Sequence, residues 1–384
     1  MGPAGASVGV CTLATKSFLG RARALALSLR DFHPECRLQV LLADRPDGVL
    51  PTSADEPFDL VPIDALENRD AVERMSFYYD AFEFCNGLRG ELHAYMWEKT
   101  DHAAWLYLDS DVMVTGRLDA IFEELSRCSI LLSPHCRSPV PLDAVDPHEL
   151  NLIRNGTFNS GFLGMRRTPM AKQFLDWFRT RLHWYAFNGH DRELRALKER
   201  FVSGLFVDQV WLDLAPLYFD DVAFLEDRGA NLAHWNLFER PLRRAEDGGI
   251  LAAGAPVKFV HFSGWDASEP QRISHYAPMY EQGGGVDATT RELWTELSLR
   301  YRDLLGRARD DEARRYAYGY DRYHGGGRIS AEDRLRYYHL CKEGNAPPGD
   351  PFRSPAALGG SPSARLARSL RRWLERAVGR DARR

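Results

Sequence analysis

Short apolar runs alternate with longer amphipathic segments along the first part of the chain. Residues 8–13 form an almost wholly apolar run, residues 18–32 repeat Ala and Leu at helical spacing, and residues 38–42 form a second apolar run before Asp44. A strand, a helix and a strand within roughly 40 residues predict a right-handed βαβ unit, and such units build parallel sheets.

The same pattern continues further along the chain. Apolar runs predict strands at residues 105–108, 129–133, 158–165, 222–225 and 257–262, and helical spacing covers residues 71–99, 118–125, 170–182, 206–217 and 290–308. Residues 134–156, rich in Pro, His and Asp, are predicted to form a long functional or mobile loop. We therefore expect an α/β fold with a mixed, mainly parallel sheet flanked by helices and followed by a C-terminal helical extension.

Composition shifts divide the chain into three parts. We expect a main domain over residues 1–281, with a linker at 282–289, and a helical extension over 290–345. Pro and Gly crowd residues 346–362, so residues 346–384 are predicted to be a flexible linker followed by a basic amphipathic helix.

Bulk composition excludes several classes of protein. The 384 residues include 50 Lys plus Arg against 54 Asp plus Glu, which gives no charge argument for nucleic acid binding. Six scattered cysteines, without a Cys-x-x-Cys pair, argue against zinc and against a disulfide scaffold. The start lacks a signal-peptide pattern, and no apolar run approaches the ~20 residues of a membrane span. The expected location is the cytoplasm.

The most informative stretch is residues 105–114, an apolar run that ends in Asp109, Ser110 and Asp111 and then turns apolar again. Residues i and i+2 of a strand point to the same side, so the two carboxylates can converge at its end. Without a Lys or Arg between them they repel each other unless a cation is bound, and hard oxygen ligands suit Mg²⁺ or Mn²⁺. The alternative is an ordinary polar turn, since Asp and Ser are common turn residues.

Four later segments also combine polar and apolar residues in ways that suggest a site. Residues 158–164 place Asn159, Ser160 and Gly161 in an apolar strand, which allows close approach by a ligand or marks a bulge. Asp208 and Gln209 precede an amphipathic helix, where an N-cap residue would look the same.

The other two segments are residues 231–236, followed by Arg240, and residues 259–265. In the second of them His261 leaves a strand into a turn of small residues. A neutral imidazole is a frequent third ligand of Mn²⁺, although a lone His in this position is more often structural.

Together these segments resemble, in order and spacing, the GT-A class of nucleotide-sugar glycosyltransferases. They look most like family 8, the relatives of glycogenin and its bacterial homologues that transfer galactose or glucose. That family carries a strand-borne D-x-D, an N-[AS]-G strand, a D-Q pair and a late H-[FY]-x-G motif. The matching residues are Asp109 and Asp111, residues 159–161, Asp208 and Gln209, and residues 261–264. The resemblance covers about residues 7–275, and implies a Rossmann-like GT-A fold.

The resemblance implies an enzyme that moves a hexose-type sugar from a nucleotide-diphosphate donor, with a UDP-sugar as the expected donor. The expected acceptor is a hydroxyl of a glycan, a glycolipid or another molecule, and the transfer is expected to retain the configuration of the sugar. It implies a bacterial role in polysaccharide biosynthesis. Asp109, Asp111 and His261 would hold Mn²⁺ or Mg²⁺, and Asp208 and Gln209 would be catalytic. The residues implied in binding the donor are Thr12, Asp109, Ser110, Asn159, Ser160, Gly161, Ser263, Gly264 and Trp265.

The chain departs from the family pattern at two places. The lysine expected shortly after the His-x-x-Gly segment is absent, residues 265–268 stand there instead, and Arg272 is the candidate substitute. The first strand ends in residues 14–16 without the acidic residues that often hold the base, which leaves the identity of the nucleotide open.

Two rival functions remain at this stage. A haloacid-dehalogenase-like phosphatase also begins from D-x-D, with a later acidic pair such as Asp220 and Asp221, but its D-x-D follows the first strand. A non-catalytic nucleotide-sugar-binding protein would bind the donor and never release nucleoside diphosphate. A sugar-nucleotide pyrophosphorylase is disfavoured because the Gly-rich, basic loop after the first strand is missing.

Residues 364–384 form a separate feature. Apolar residues recur there at helical spacing, and eight arginines stand against Glu375 and Asp381, a local charge of +6 from eight minus two. Such a helix either packs on the main domain or lies on anionic lipid, where each basic residue adds about 1 kcal/mol. The second alternative would place the enzyme at the inner membrane face, acting on a lipid-linked acceptor.

Overall fold

The computed structural model describes residues 8–46, 56–146, 148–197, 202–276 and 285–358. Its strands are β1 (Val8–Ala14), β2 (Gln39–Leu42), β3 (Asp59–Val61), β4 (Ala104–Leu108), β5 (Val112–Val114), β6 (Ile130–Pro134), β7 (Phe158–Arg166), β8 (Val222–Phe224), β9 (Leu242–Arg244), β10 (Ile250–Ala252), β11 (Ala255–Pro256) and β12 (Phe259–His261).

Seven strands form one sheet in the order β3-β2-β1-β4-β7-β6-β8. The pairs β3–β2, β2–β1, β1–β4 and β6–β8 are parallel, and β7 runs antiparallel to both β4 and β6. The predicted mixed, mainly parallel α/β sheet is therefore confirmed. Two smaller units stand beside it, the three-stranded β9-β10-β11 sheet and the antiparallel pair of β5 and β12.

The helices are α1 (Leu19–Phe32), α2 (Arg69–Tyr78), α3 (Ala81–Gly87), α4 (Arg89–Lys99), α5 (Asp119–Leu125), α6 (Glu149–Asn155), α7 (Pro169–Tyr185), α8 (Arg192–Ala196), α9 (Gln209–Leu212), α10 (Ala215–Tyr218), α11 (Ala288–Arg307), α12 (Asp310–Ala313) and α13 (Ala331–Lys342). Residues 71–99, which were predicted to be helical, form three helices. The break has a local cause, since Asp80 and Glu83 form a reciprocal capping box that begins α3.

Both faces of the large sheet are covered. Successive residues of its strands point to opposite sides, so each strand contributes to two core clusters. Cys11 and Leu13 of β1 pack into one core cluster, and Val10 and Ala14 pack into another on the opposite face. A third cluster lies beneath α11, where Trp294 and Tyr301 contact Phe262 of the segment after β12. Helix α11 thus supports the β5–β12 pair from behind.

The C-terminal part of the described chain is packed rather than loose. Helices α11 to α13 occupy the predicted helical extension, and the division of the chain into domains stays a prediction. Residues 351–353 and 355–358 form 3-10 turns, and Phe352 is buried against Phe77. The predicted flexible linker is therefore corrected for residues 346–358, because one aromatic anchor outweighs the Pro and Gly content. Residues 359–384, with the predicted basic helix, lie outside the described residues. Within the described ranges, no helix has the length and apolar character that crossing a membrane requires.

Candidate functional site

The two acids of the Asp-Ser-Asp stretch lie in a tight bend at the carboxyl end of β4. The backbone N–H of Asp109 donates to the carbonyl of Gly161 on β7 (2.9 Å), and the N–H of Val112 donates to the carbonyl of Asp109 (3.1 Å). Open α/β sheets bind ligands beyond the carboxyl ends of their parallel strands. The bend therefore places both carboxylates at the edge where a ligand is expected.

His261 reaches the same edge through the β5–β12 pair. In that antiparallel ladder His261 lies opposite Val112, and the N–H of Phe262 donates to the carbonyl of Asp111 (3.0 Å). The register of two short strands thus brings a late histidine beside the two acids.

The three predicted metal ligands converge. One ligand atom from each of Asp109, Asp111 and His261 lies within 4.8 Å of the others. The Nε2 atom of His261 is 3.1 Å from Asp111 Oδ1 and 3.7 Å from Asp109 Oδ2. The acids keep 24% and 17% of their side-chain surface exposed, so a ligand can reach them from solvent. Two carboxylates and an imidazole fit Mn²⁺ or Mg²⁺ with positions left for phosphate or water.

Gly161 makes this convergence possible. A Cβ at this position would lie 2.5 Å from His261 Cε1, 2.6 Å from Asp109 Oδ2 and 3.0 Å from Asn159 Oδ1. Any side chain larger than hydrogen would therefore push the ligands apart. Residues 159–161 also lie where the pairing of β6 and β7 is irregular, between the Leu132–Leu163 and Pro134–Phe158 pairs, so the bulge alternative is met there. Close approach by a ligand stays a prediction.

Charge couples Asp111 and His261 strongly. Burial opposes the charged imidazole most strongly of any single influence, but Asp111 and Asp109 together outweigh it and raise the pKa of His261. Burial would raise the pKa of Asp111 as well, yet His261 and then Arg21 lower that pKa to about 2. Without a bound cation the pair is an imidazolium–carboxylate ion pair over the range between the two pKa values.

The acids are not without basic neighbours, contrary to the expectation from the local sequence. The guanidinium of Arg89, at the first position of α4, lies 2.6 Å from both Asp109 Oδ1 and Asp208 Oδ2. It also donates to the hydroxyls of Ser160 and Tyr107. Arg21 on α1 lies 3.6 Å from Asp111 Oδ2. Repulsion between the two acids is therefore not evidence for a bound metal. The evidence for a metal site is the convergence of the three potential ligands.

Asp208 precedes α9 but its side chain does not cap that helix. It accepts from Arg89 (2.6 Å) and from the Ser160 hydroxyl (3.2 Å), and it is 1% exposed. The preceding Val207 has a φ of 43°, a conformation that a β-branched residue adopts only under constraint. Burial outweighs Arg89 and raises the pKa of Asp208. The backbone here is thus strained to hold a buried carboxylate beside the metal ligands.

Gln209 has a different environment from Asp208. Its Nε2 donates to the carbonyl of Asn155 (2.7 Å) and its Oε1 accepts from the N–H of Ser160 (3.3 Å). Both ends of the amide are therefore engaged by backbone groups. Gln209 thus ties β7 to the end of α6, and its predicted catalytic role stays a prediction.

No family model matches the chain. It is similar to two uncharacterized proteins of Bacillus subtilis (strain 168). YfnF is 26% identical over 259 residues, which cover 66% of this chain and 80% of YfnF. YfnD is 26% identical over 184 residues, which cover 48% of this chain and 54% of YfnD.

Among solved structures, the galactosyltransferase LgtC in complex with donor and acceptor sugar analogs aligns at a TM-score of 0.44 and 16% identity, covering 76% of this chain and 96% of LgtC. The glycosyltransferase GlyE of Streptococcus pneumoniae TIGR4 aligns at 0.41 and 17% identity, covering 80% of this chain and 64% of GlyE. Similarities this distant do not assign a role to any residue. The function is therefore inferred from the geometry of the site itself.

Two predicted donor-binding residues lie apart from the cluster. Thr12 sits in the middle of β1, fully buried, and its hydroxyl has no partner among the described residues. Trp265 packs against the stacked pair of Phe262 and Tyr301 in the cluster beneath α11. The alternation of side chains along β1 directs Thr12 into the core, and packing beneath α11 does the same for Trp265. Residue type alone does not reveal either position.

The remaining donor-binding candidates lie close to the metal ligands. Ser110 is buried in the bend between the two acids. Ser263 and Gly264 form the turn after His261, with Gly264 at a φ of 65° and its carbonyl accepting from the N–H of His275 (2.9 Å). Arg272, the candidate substitute for the family lysine, is exposed and pairs with Glu269. Arg21 is the basic residue that the fold places beside Asp111.

The 231–236 segment forms a wall of the site. The Trp235 ring meets His261 edge-to-face at 5.2 Å and His135 at 5.1 Å. Arg240 is buried and donates to the carbonyl of Ala230 (2.6 Å), which holds the start of the segment. Trp235 therefore packs against the imidazole of His261 and limits how that ring can turn.

A second group of ligand types, His33, Glu35 and Cys36, does not form a comparable site. The Nε2 atom of His33 accepts from the backbone N–H of Leu118 (2.8 Å), so the proton is on Nδ1, which faces Glu35 (2.9 Å). Both ring nitrogens are thus occupied, and neither lone pair is free for a metal.

Proposed function

We propose that this protein is a metal-dependent glycosyltransferase of the GT-A type that transfers a hexose-type sugar from a nucleotide diphosphate donor to a hydroxyl acceptor. The observation that carries the proposal is the convergence of Asp109, Asp111 and His261 around the space that Gly161 leaves open. Motifs that are far apart in the sequence meet at one point, at the sheet edge where ligands bind.

Mn²⁺ or Mg²⁺ held by Asp109, Asp111 and His261 would supply Lewis-acid stabilisation of the diphosphate leaving group. Arg21, beside Asp111, adds a fixed positive charge on the same side, where negative charge grows as the glycosidic bond breaks. The nucleoside is proposed to be uridine, on the basis of the family resemblance.

Asp208 is proposed to act at the donor sugar. Its carboxylate is buried and held by Arg89 and Ser160, so it presents a charge of fixed position rather than a mobile base. A preorganised carboxylate of this kind stabilises positive charge at the anomeric carbon without reorganisation in the transition state. This arrangement is compatible with the retaining course that family 8 follows, and Asn159 would contact the same sugar.

The phosphatase alternative is disfavoured by topology. Its second acidic pair would include Asp221, which directly precedes β8. Strand β8 is parallel to β6 and therefore runs in the same direction as β4. Asp221 thus lies at the amino end of these strands, across the sheet from Asp109.

The decisive experiment incubates the protein with Mn²⁺ and a panel of UDP-, GDP- and dTDP-sugars and measures released nucleoside diphosphate. Release that stops in EDTA and returns with Mn²⁺ supports the proposal. Tight donor binding without release, even to water, would indicate a non-catalytic binding protein. Phosphate release from a phosphomonoester without nucleotide-sugar turnover would indicate a phosphatase.

For the acceptor we propose a carbohydrate or a lipid-linked carbohydrate, met in the cytoplasm at the inner membrane face. The support is the amphipathic, arginine-rich sequence of residues 364–384. Flotation with liposomes containing anionic lipid tests this directly. Deletion after Pro362 should abolish binding; unchanged binding of the truncated protein, or no binding of the intact protein at low salt, overturns the membrane proposal.

A further inference from the structure

Asn231 lies two hydrogen bonds from the imidazole of His261. It is 1% exposed, and its Nδ2 donates to Ser133 Oγ (2.8 Å) and to Asn159 Oδ1 (3.1 Å). Asn159 Oδ1 is in turn 3.2 Å from His261 Nδ1. Three side chains, Asn231, Asn159 and His261, are therefore connected by hydrogen bonds that end at Nδ1 of the proposed metal ligand.

The polarity of this chain follows from the chemistry of its groups. An amide NH₂ only donates and an amide oxygen only accepts, so Nδ2 of Asn231 requires the oxygen of Asn159 to face it. The same oxygen faces His261 Nδ1 (3.2 Å), which must carry a proton to donate to it, and a cation bound between Nε2 and the carboxylates leaves the imidazole proton on Nδ1. The Nε2 atom, which points towards Asp109 and Asp111, can then present a lone pair to a cation.

The backbone holds Asn231 at a fixed distance from His261. The N–H of His261 donates to the carbonyl of Leu232 (2.8 Å), and the N–H of Leu232 donates to the carbonyl of Phe259 (3.2 Å). Asn231 itself has a φ of 52°, a left-handed conformation that Asn adopts more readily than most residues. The segment and β12 thus act as one rigid unit.

The amide of Asn231 carries a cost that an apolar side chain would avoid. Its Oδ1 is buried and has no partner among the residues that the structure describes. The hydrogen bonds that the Nδ2 group donates to Asn159 and Ser133 explain why an asparagine is present at this position.

We propose that Asn231 is a positioning residue that fixes, through Asn159, the ring orientation and tautomer of His261 for binding a divalent cation. This inference rests on the metal site of the proposed function. Removal of the polar partner behind a metal-binding histidine typically weakens metal affinity 10- to 100-fold, which sets the expected effect.

The test compares Mn²⁺ binding to the unaltered protein and to Asn231→Gly, by titration of free Mn²⁺ with electron paramagnetic resonance. Glycine tolerates the left-handed backbone and removes the amide. We expect Mn²⁺ affinity to fall about 10- to 100-fold while the circular dichroism spectrum is retained. If the unaltered protein binds Mn²⁺ and the variant binds it equally well, the role of Asn231 is wrong; if the unaltered protein binds none, the metal assignment fails first and this role fails with it.

Asn236 provides a matched control. It also holds the 231–236 segment, through the N–H of Ala233 and the carbonyls of Asn231 and His135, but it contacts neither Asn159 nor His261. Asn236→Ala should lower the melting temperature and leave Mn²⁺ affinity within about threefold, since the polarity chain survives. Equal losses of Mn²⁺ affinity in both variants would show that loop order alone matters, and would overturn the proposal.

A spectroscopic measurement separates the tautomer from general stability. Imidazole ¹⁵N shifts of the protein saturated with diamagnetic Mg²⁺, assigned with His261→Gln, should show a proton on Nδ1 of His261 and none on Nε2, because the cation then takes the place of a proton between Nε2 and the carboxylates. In Asn231→Asp, which keeps the side-chain shape and, when ionised, offers no N–H, we expect that Nδ1–H signal to be lost. An unchanged Nδ1–H signal in this variant would contradict the proposed role, even if the glycine variant is too unstable to measure.

Discussion

The guanidinium of Arg89 lies 2.6 Å from the carboxylate of Asp208, and both side chains are almost completely buried. The same guanidinium reaches Asp109, so one cation joins a proposed metal ligand to a proposed catalytic acid. Any change at either acid is therefore felt by the other. Activity and stability should respond together in this part of the site.

Asp208→Asn tests that coupling. The substitution keeps shape but leaves Arg89 with one charged partner, and breaking a buried ion pair typically costs about 3–5 kcal/mol. We expect donor turnover to fall by orders of magnitude and the free energy of unfolding to fall by about 3 kcal/mol. Nucleotide release and urea denaturation measure the two effects.

Asp213→Asn is the matched control for Asp208→Asn. Asp213 follows α9, and its carboxylate accepts from the N–H and hydroxyl of Thr157, away from Arg89. Its replacement should leave turnover within about threefold, because it removes neither ion pair. Near-normal turnover of Asp208→Asn as well would reduce Asp208 to a structural residue.

Gly161→Ala should abolish metal binding. The new Cβ would stand 2.5 Å from His261 and 2.6 Å from Asp109, and both contacts are too short to exist without displacement. Gly164→Ala in the same strand is the control, because the nearest neighbours of its Cβ would be Leu106, Leu125 and Leu131 in the core. It should lower the melting temperature without changing Mn²⁺ affinity. Normal Mn²⁺ binding by Gly161→Ala, measured calorimetrically, would rule out the proposed ligand set.

Local sequence patterns predicted most of the fold and the position of the acids. Periodicity gave the order of strands and helices because each pattern needs only its own residues. The bend at Asp109 and Asp111 was likewise visible at the end of an apolar run. The break in the predicted 71–99 helix was also readable, since Asp80 and Glu83 carry the capping-box spacing.

What the sequence did not reveal depends on how distant elements pack. Arg89 looks like any arginine of an amphipathic helix, and only the placement of α4 beneath the sheet edge turns it towards Asp109 and Asp208. Trp265 was predicted to bind the donor, but it is buried in the hydrophobic cluster beneath α11. The one available signal for Arg89 was its i, i+3 and i+7 spacing with Leu92 and Met96, which are fully buried.

Asp111→Ala should remove metal binding and also lower stability. From the sequence alone, relief of like-charge repulsion predicts an unchanged or raised melting temperature. The structure corrects this, because Asp111 pairs with His261 (3.1 Å) and Arg21 (3.6 Å). A pKa held at about 2 corresponds to roughly 2 kcal/mol of favourable interaction. A higher melting temperature for metal-free Asp111→Ala would mean that repulsion dominates after all.

The stability of the metal-free protein should depend on pH through His261. Burial and Arg89 oppose the charge on its imidazole, but Asp111 and Asp109 together outweigh them, so the pKa of His261 is raised in the folded state. A raised pKa contributes stability that is fully present below the unfolded value, about 6.5, and is lost as pH rises through the folded value. The depressed pKa of Asp111 contributes stability above about 3.8, which is lost as pH falls towards about 2.

Mn²⁺ should reverse this dependence on the alkaline side, because a cation competes with the proton for Nε2 and binds more tightly as pH rises. Melting temperatures in EDTA and in Mn²⁺, each expressed as the difference between the unaltered protein and His261→Gln, isolate the contribution of this residue from the other histidines. In EDTA the difference should shrink as pH rises, and in Mn²⁺ it should grow. A difference that is independent of pH in both conditions would show that His261 neither pairs with Asp111 nor binds the metal.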